Sequence, residues 1–141
     1  MAIWFAPFTL EELNRTRVVG LAAQLGMTFT AFGDDWLAAA MPVDARTRQP
    51  MGLLHGGASL ALAETVGGTA GNLCVDRTHF RCVGQEINGN HVRAATDGRV
   101  TATARPQHVG GRSQVWQIEI RDSAERLVCI SRLTLAVVAV T

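Results

Sequence analysis

The stretch Gly52-Leu53-Leu54-His55-Gly56-Gly57-Ala58-Ser59-Leu60-Ala61-Leu62-Ala63-Glu64-Thr65-Val66-Gly67-Gly68-Thr69-Ala70-Gly71 sets one carboxylate, Glu64, in a run of apolar and small residues. Between positions 52 and 75 the other ionisable side chains are His55 and the weakly acidic Cys74. This reads as one helix that starts near Gly56 and is buried inside a soluble fold. Ala58, Ala61, Ala63, Gly67, Gly68, Ala70 and Gly71 are small enough to let a sheet approach closely. The length raises the question of a membrane span. Five glycines after His55, with Glu64 and His55 themselves, argue against one. A carboxylate in such a helix must be paired, neutralised or used, because burying it alone costs several kcal/mol.

On either side the patterning changes. Thr9-Leu10-Glu11-Glu12 has the form of a capping box, and Leu10, Leu13, Val18 and Leu21 give the apolar face of a helix ending near Gly26. Residues 27–32 and 36–43 read as strands joined by a hairpin turn at Gly33-Asp34-Asp35. Residues 44–52, with Pro50, form a loop into the central helix, and residues 76–81 form a polar connection out of it. Four strands follow at 82–93, 99–107, 114–121 and 126–140. In the third, Trp116, Ile118 and Ile120 alternate with Gln117, Glu119 and Arg121, as on a half-buried strand. Turn residues separate them at Thr96-Asp97-Gly98, Val109-Gly110-Gly111 and Asp122-Ser123. The expected architecture is α+β: one domain over 1–141, an antiparallel sheet wrapped around a central helix, with the last four strands as a meander. Open sheet edges then favour dimerisation by edge pairing.

With 141 residues the chain has room for a real core. Hydrophobic residues make up 48% and charged residues 18%, and the net charge of +1 offers no basic surface to nucleic acid or to a membrane. Cys74, Cys82 and Cys129 show no CxxC spacing and suit reduced thiols in a cytoplasm. No basic segment followed by an apolar run stands at the N-terminus, so no signal peptide is expected. His55, His79, His91 and His108 lack metal-pair spacing, so no metal is expected.

A helix starting at Gly56 leaves its first N–H groups without intrahelical partners, at the positive end of the helix dipole. A carbonyl oxygen placed there would be polarised and an oxyanion stabilised, and glycine at 56 and 57 keeps the approach clear. Glu64 lies eight residues on, about 12 Å along the axis at 1.5 Å per residue. That is too far for both groups of one chain to grip the same carbonyl. If both act on one bond, Glu64 comes from a second subunit and the site lies at a dimer interface. His55 and Glu64, nine residues apart, fall half a revolution from each other and form no pair within one chain. Each also has a plainer reading, Glu64 as a structural hydrogen-bond acceptor and His55 as a residue that orients the loop.

The run Gln49-Pro50-Met51-Gly52-Leu53-Leu54-His55-Gly56-Gly57-Ala58-Ser59, continued by Ala63-Glu64-Thr65, resembles the hotdog-fold acyl-CoA thioesterases. The similarity is greatest to the branch of 1,4-dihydroxy-2-naphthoyl-CoA hydrolases and Arthrobacter-type 4-hydroxybenzoyl-CoA thioesterases. It extends to Leu10-Glu11-Glu12-Leu13-Asn14, Met41-Pro42-Val43-Asp44 and Gly84-Gln85-Glu86-Ile87-Asn88, nearly end to end. The resemblance implies that Glu64 is the catalytic carboxylate, attacking the thioester carbonyl or activating water. It implies that the Gly56 amide polarises the thioester oxygen, and that Gln49 and His55 hold the acyl group and water. For coenzyme A it points to Gly84, to His91, Val92, Arg93 and Ala94, and to His108, Gly110, Gly111, Arg112 and Ser113. Arg93 and Arg112 can meet phosphates, and the Gly110-Gly111 backbone can donate to them. Dimers with two shared sites, paired into tetramers, are implied too. The implied substrate is an aromatic acyl-CoA, with 1,4-dihydroxy-2-naphthoyl-CoA first. Coenzyme A is then part of the substrate, and no separate cofactor is expected.

One position departs from the pattern. Relatives often carry a water-orienting Ser or Thr four residues after the glutamate, where this chain has Gly68. Thr69 is rotated from that position by about 100° on a helix. Two other readings are a hotdog hydratase of enoyl or hydroxyacyl thioesters and a non-catalytic acyl-CoA or carrier-binding module. The hydratase needs a carboxylate–histidine pair that the offset of His55 and Glu64 does not supply. Gly68 leans toward the binding module.

Overall fold

In the computed structural model, which describes residues 1–16 and 19–141, one long helix lies across a six-stranded antiparallel sheet. The elements in chain order are α1 (Leu10–Arg15), α2 (Leu21–Gln24), β1 (Thr28–Phe32), β2 (Leu37–Pro42), α3 (Gly56–Leu73), β3 (Phe80–His91), β4 (Arg99–Val109), β5 (Ser113–Asp122) and β6 (Leu127–Ala139). The sheet order is β1-β2-β4-β5-β6-β3.

α1 begins with the expected capping box. Thr9 Oγ1 accepts the Glu12 N–H at 3.1 Å, and the Glu12 carboxylate accepts the Thr9 N–H at 2.9 Å. The helix stops at Arg15, however, and α2 is a separate four-residue turn. Gly20 precedes α2 at φ +85°, a left-handed backbone that breaks the continuous helix expected as far as Gly26. Of the expected apolar face Leu13 is buried and Leu21 is exposed, while Val18 lies outside the described residues.

The expected meander is also corrected. β4, β5 and β6 are successive neighbours because tight turns join them. The Gly110 N–H donates to Ser113 O at 3.0 Å, and the Asp122 N–H to Arg126 O at 3.0 Å. β3 lies instead on the far edge, beyond β6, and β4 pairs with β2. Residues 92–98 carry the chain back across the end of the sheet and pass the start of α3. There the Leu54 N–H donates to Ala95 O at 2.8 Å. This crossing sets the end of β3 beside the beginning of α3.

The core lies between α3 and the sheet. Leu62, Ala63, Val66 and Ala70 are fully buried with Leu37, Met41, Trp116, Ile118, Ile120 and Leu133. Burying each large apolar side chain here stabilises the fold by about 1.5–3 kcal/mol. The Trp116 indole N–H, removed from water, donates to Gln114 Oε1 at 2.9 Å, and Gln114 Nε2 in turn donates to Gly71 O at 3.4 Å.

Gly71 is where helix and sheet come closest. A Cβ there would lie 2.8 Å from Gln114 Oε1 and would overlap the Leu135 side chain, and both neighbours are fully buried and cannot swing aside. Gly71→Ala gains about 1 kcal/mol of helix propensity but forces an overpacked core that costs about 1–3 kcal/mol. We expect net destabilisation of about 1–2 kcal/mol, read as a lower denaturant midpoint with the slope unchanged.

Candidate active site

The loop before α3 is fixed from below by Thr47. Its buried hydroxyl donates to Pro42 O at 2.7 Å, and its carbonyl accepts the His55 N–H at 2.8 Å. The Gln49 N–H bonds Leu53 O at 2.8 Å and Gly52, at φ +82°, turns the chain. The Gln49 side-chain oxygen accepts the Met51 N–H, which leaves its NH2 group to donate elsewhere.

His55 is the N-cap of α3, in extended backbone geometry, and its Nδ1 accepts the Gly57 N–H at 2.8 Å. In the neutral ring the proton therefore sits on Nε2. The His55 carbonyl accepts the N–H groups of Ala58 and Ser59 at 3.0 and 3.1 Å. The Gly56 N–H is left over: among the described residues it bonds to nothing. One directed donor thus remains at the positive end of an 18-residue helix.

Glu64 does not meet the expectation of a buried charge. It is exposed, although Leu62 and Ala63 beside it are fully buried, and among the described residues it makes no hydrogen bond or ion pair. The reason is its direction. Glu64 reaches over β3, which is the edge of the sheet. A Cβ on Gly84 would collide with Glu64 Oε1, so glycine at 84 makes room for the carboxylate. β3 carries a bulge at this point, since Gly84 faces Leu135 and Glu86 faces Thr134, leaving Gln85 without an opposite residue.

The expected site residues fall in three places. Gln49, Gly56, His91, Val92, Arg93 and Ala94 line one cavity of about 370 Å³. Glu64 lies in another, a groove of about 690 Å³ that includes Thr65, Gly68, Thr69 and Asn72, with Gly84 against the carboxylate. His108, Gly110, Gly111, Arg112 and Ser113 form the β4–β5 turn, by the C-terminal end of α3, where Gly110 and Gly111 share a cavity with Cys74. The Gly110 N–H is already taken by Ser113 O, so Gly111 is the amide of that pair left to donate. Within one chain, then, Gly56 and Glu64 face different spaces.

Sequence reasoning missed Ser59. It lines the Gly56 cavity, is 1% exposed, and its hydroxyl has no partner among the described residues. Its spacing of three from Gly56 places it on the same helix face and could have flagged it. The thiols are no competitors for Glu64 as nucleophile. Burial, with Cys82 nearby, pushes Cys74 up to about 12, and burial pushes Cys82 up to about 11. No helix among the described residues is long and apolar enough to cross a membrane.

The sequence profile described as "Thioesterase superfamily" matches residues 51–129, from the loop before α3 to the last strand. The chain belongs to that superfamily. Its sheet around α3 is the hotdog fold of this thioesterase family, and hydrolysis of a thioester is its reaction. The 1,4-dihydroxy-2-naphthoyl-CoA hydrolase of Escherichia coli K12 is 53% identical over 135 residues, 96% of this chain and 98% of that one. The proofreading thioesterase EntH of Cronobacter turicensis is 51% identical over 135 residues, with the same coverage. The crystal structure of a thioesterase from Haemophilus influenzae superposes with a TM-score of 0.94 at 50% identity, covering 97% of this chain and 95% of that one.

Proposed function

We propose that this thioesterase hydrolyses an aromatic acyl-CoA, with 1,4-dihydroxy-2-naphthoyl-CoA first among candidates, at sites shared between two subunits. Water and the thioester give the free acid and coenzyme A thiol. The carbonyl oxygen accepts the Gly56 N–H of one subunit, and Glu64 of the other attacks the carbonyl carbon or takes the proton of an attacking water. The observation that carries this reading is the unbonded Gly56 N–H, which stands alone in the first turn because His55 takes the next amide and its carbonyl the two after. Glu64 fits the same scheme. It is exposed in the single chain, close to an edge strand whose Phe80 and Val83 stay 42% and 46% exposed, the kind of surface a second subunit covers. Pairs of such dimers would give the tetramer. Arg93 and Arg112, which make no ion pair among the described residues, are the cations offered to the coenzyme A phosphates.

A screen of aromatic, short-chain and long-chain acyl-CoAs with a thiol-reactive dye tests this. Release of coenzyme A fastest from 1,4-dihydroxy-2-naphthoyl-CoA supports the reading, and preference for a straight-chain thioester overturns the choice of substrate. The two relatives differ in name at nearly equal identity, 53% against 51%. A second reading is therefore a proofreading thioesterase, and faster hydrolysis of the same aroyl group from a carrier-bound pantetheine arm than from coenzyme A would favour it.

Gly68 tests the missing hydroxyl. A Cβ built there meets nothing within 4 Å, and the position shares its groove with Glu64. A serine fits without strain and is a better helix former than glycine by about 0.5 kcal/mol. Gly68→Ser should raise both the melting temperature and kcat, the latter by about threefold to tenfold if the hydroxyl orients water. An unchanged kcat would show that water is already held by another group.

A further inference from the structure

Gly56 is crowded from one side. A Cβ there would lie 2.8 Å from His91 Nε2, 3.2 Å from Cε1 and 3.3 Å from Cδ2, so Nε2 is the ring atom turned toward the glycine. Among the described residues the His91 ring makes no hydrogen bond or ion pair, although it stands at the last position of β3 and is exposed. The main chain around it is held. The Val92 N–H donates to Val128 O at 2.9 Å, and Leu54 N–H to Ala95 O at 2.8 Å. His91 shares the cavity of the free Gly56 N–H with the unpartnered, buried Ser59 hydroxyl. The other buried polar side chains, Thr47, Gln114 and Ser131, are all hydrogen-bonded. The Gly56 N–H, the His91 ring and the Ser59 hydroxyl thus line one cavity without partners, and Ser59 alone among the described buried polar side chains lacks one.

We infer that His91 Nε2 is a second donor to the thioester oxygen and forms, with the Gly56 N–H, a two-point oxyanion hole. This rests on the role of Gly56 proposed above. A carbonyl oxygen that becomes an oxyanion gains acceptor capacity that one amide does not fill. An imidazole N–H beside the same glycine supplies the missing donor. It donates from Nε2 whether the ring is charged or is neutral with its proton there. It also accounts for the glycine, since any side chain at 56 displaces the ring. His91 thereby moves from coenzyme A contact to catalytic residue.

The test uses an aroyl-CoA and the matching aroyl-N-acetylcysteamine thioester, which lacks the nucleotide and most of the pantetheine arm. His91→Phe keeps a ring and removes the donor, and His91→Gln restores an N–H donor. We expect His91→Phe to lower kcat about 100-fold on both substrates, with KM little changed and His91→Gln recovering part of the loss. A rise in KM confined to the coenzyme A substrate would make His91 a coenzyme A contact and overturn the inference. An unchanged kcat on both would overturn it too. His91→Ala gives the same readout should the phenylalanine variant fold poorly. If the wild-type protein releases thiol from both substrates and Glu64→Gln does not, a failure at His91 touches this inference alone. If wild type releases thiol from neither, the reading of Gly56 falls with it.

Discussion

Glu64→Gln is expected to lower kcat by about 10³-fold while leaving the fold intact and KM within about twofold. The substitution keeps the shape of the side chain and removes its charge and its basicity. In the single chain Glu64 is exposed and makes no hydrogen bond or ion pair among the described residues, so nothing in the core depends on it. A surface change of this kind alters stability by about 0.5 kcal/mol or less. A 10³-fold loss is about 4 kcal/mol of transition-state stabilisation, so a change in activity without one in melting temperature separates chemistry from structure. Glu64→Asp should fall between, because the shorter side chain draws the carboxylate back along a helix that the core holds in place. Single turnover in ¹⁸O water gives a positive test for covalent attack, through water addition to the glutamyl carbonyl of the anhydride. An unlabelled acid from the first turnover assigns attack to the Glu64 carboxylate, which gives up its own oxygen to the product. If Glu64→Gln kept full activity, the carboxylate would have no part in the reaction.

What the sequence made legible about this site was what local pattern controls. The glycine pair fixed the helix start, the capping box fixed the start of α1, and the alternation from Trp116 to Ile120 fixed β5. What stayed hidden depends on which strands become neighbours. Glu64 reads as buried along the chain because its helix is apolar and small on most sides. It is exposed because its side chain reaches over β3, the edge strand of the sheet that the helix crosses, and no local pattern states where the edge falls. The same holds for His91. Its contact with Gly56 spans 35 residues and exists because β3 occupies the far edge, so that residues 92–98 must cross past α3. The role of His55 was hidden for a different reason. Histidine is not among the preferred N-cap residues, and its capping of Gly57 leaves the Gly56 amide as the unbonded donor of the first turn. The room that Gly84 leaves for the carboxylate of Glu64 is likewise set by strand placement and has no local pattern.

Two inactive variants should restore each other when mixed. Gly56 is the first residue of α3, the N1 position, where proline is favoured and its missing N–H costs no helical hydrogen bond. His55 before it has φ −66° and ψ 130°, the extended geometry that a following proline requires. Gly56→Pro therefore deletes the amide donor at little cost to the helix and turns the exposed His91 ring, the second proposed donor, out into solvent. Alone, it should lower kcat by about 10²- to 10³-fold, as Glu64→Gln does by its own route. In a hybrid dimer one shared site carries both defects. The other combines Glu64 of the Gly56→Pro chain with Gly56 of the Glu64→Gln chain and is wild type. Random reassociation of equal amounts makes half of the dimers hybrid, each with one working site, so about one quarter of wild-type activity should return. If each site were built from a single chain, every site in the mixture would carry a defect and no activity would return. The 12 Å rise from Gly56 to Glu64 along the helix, and the separate cavities that the two residues line in one chain, predict recovery.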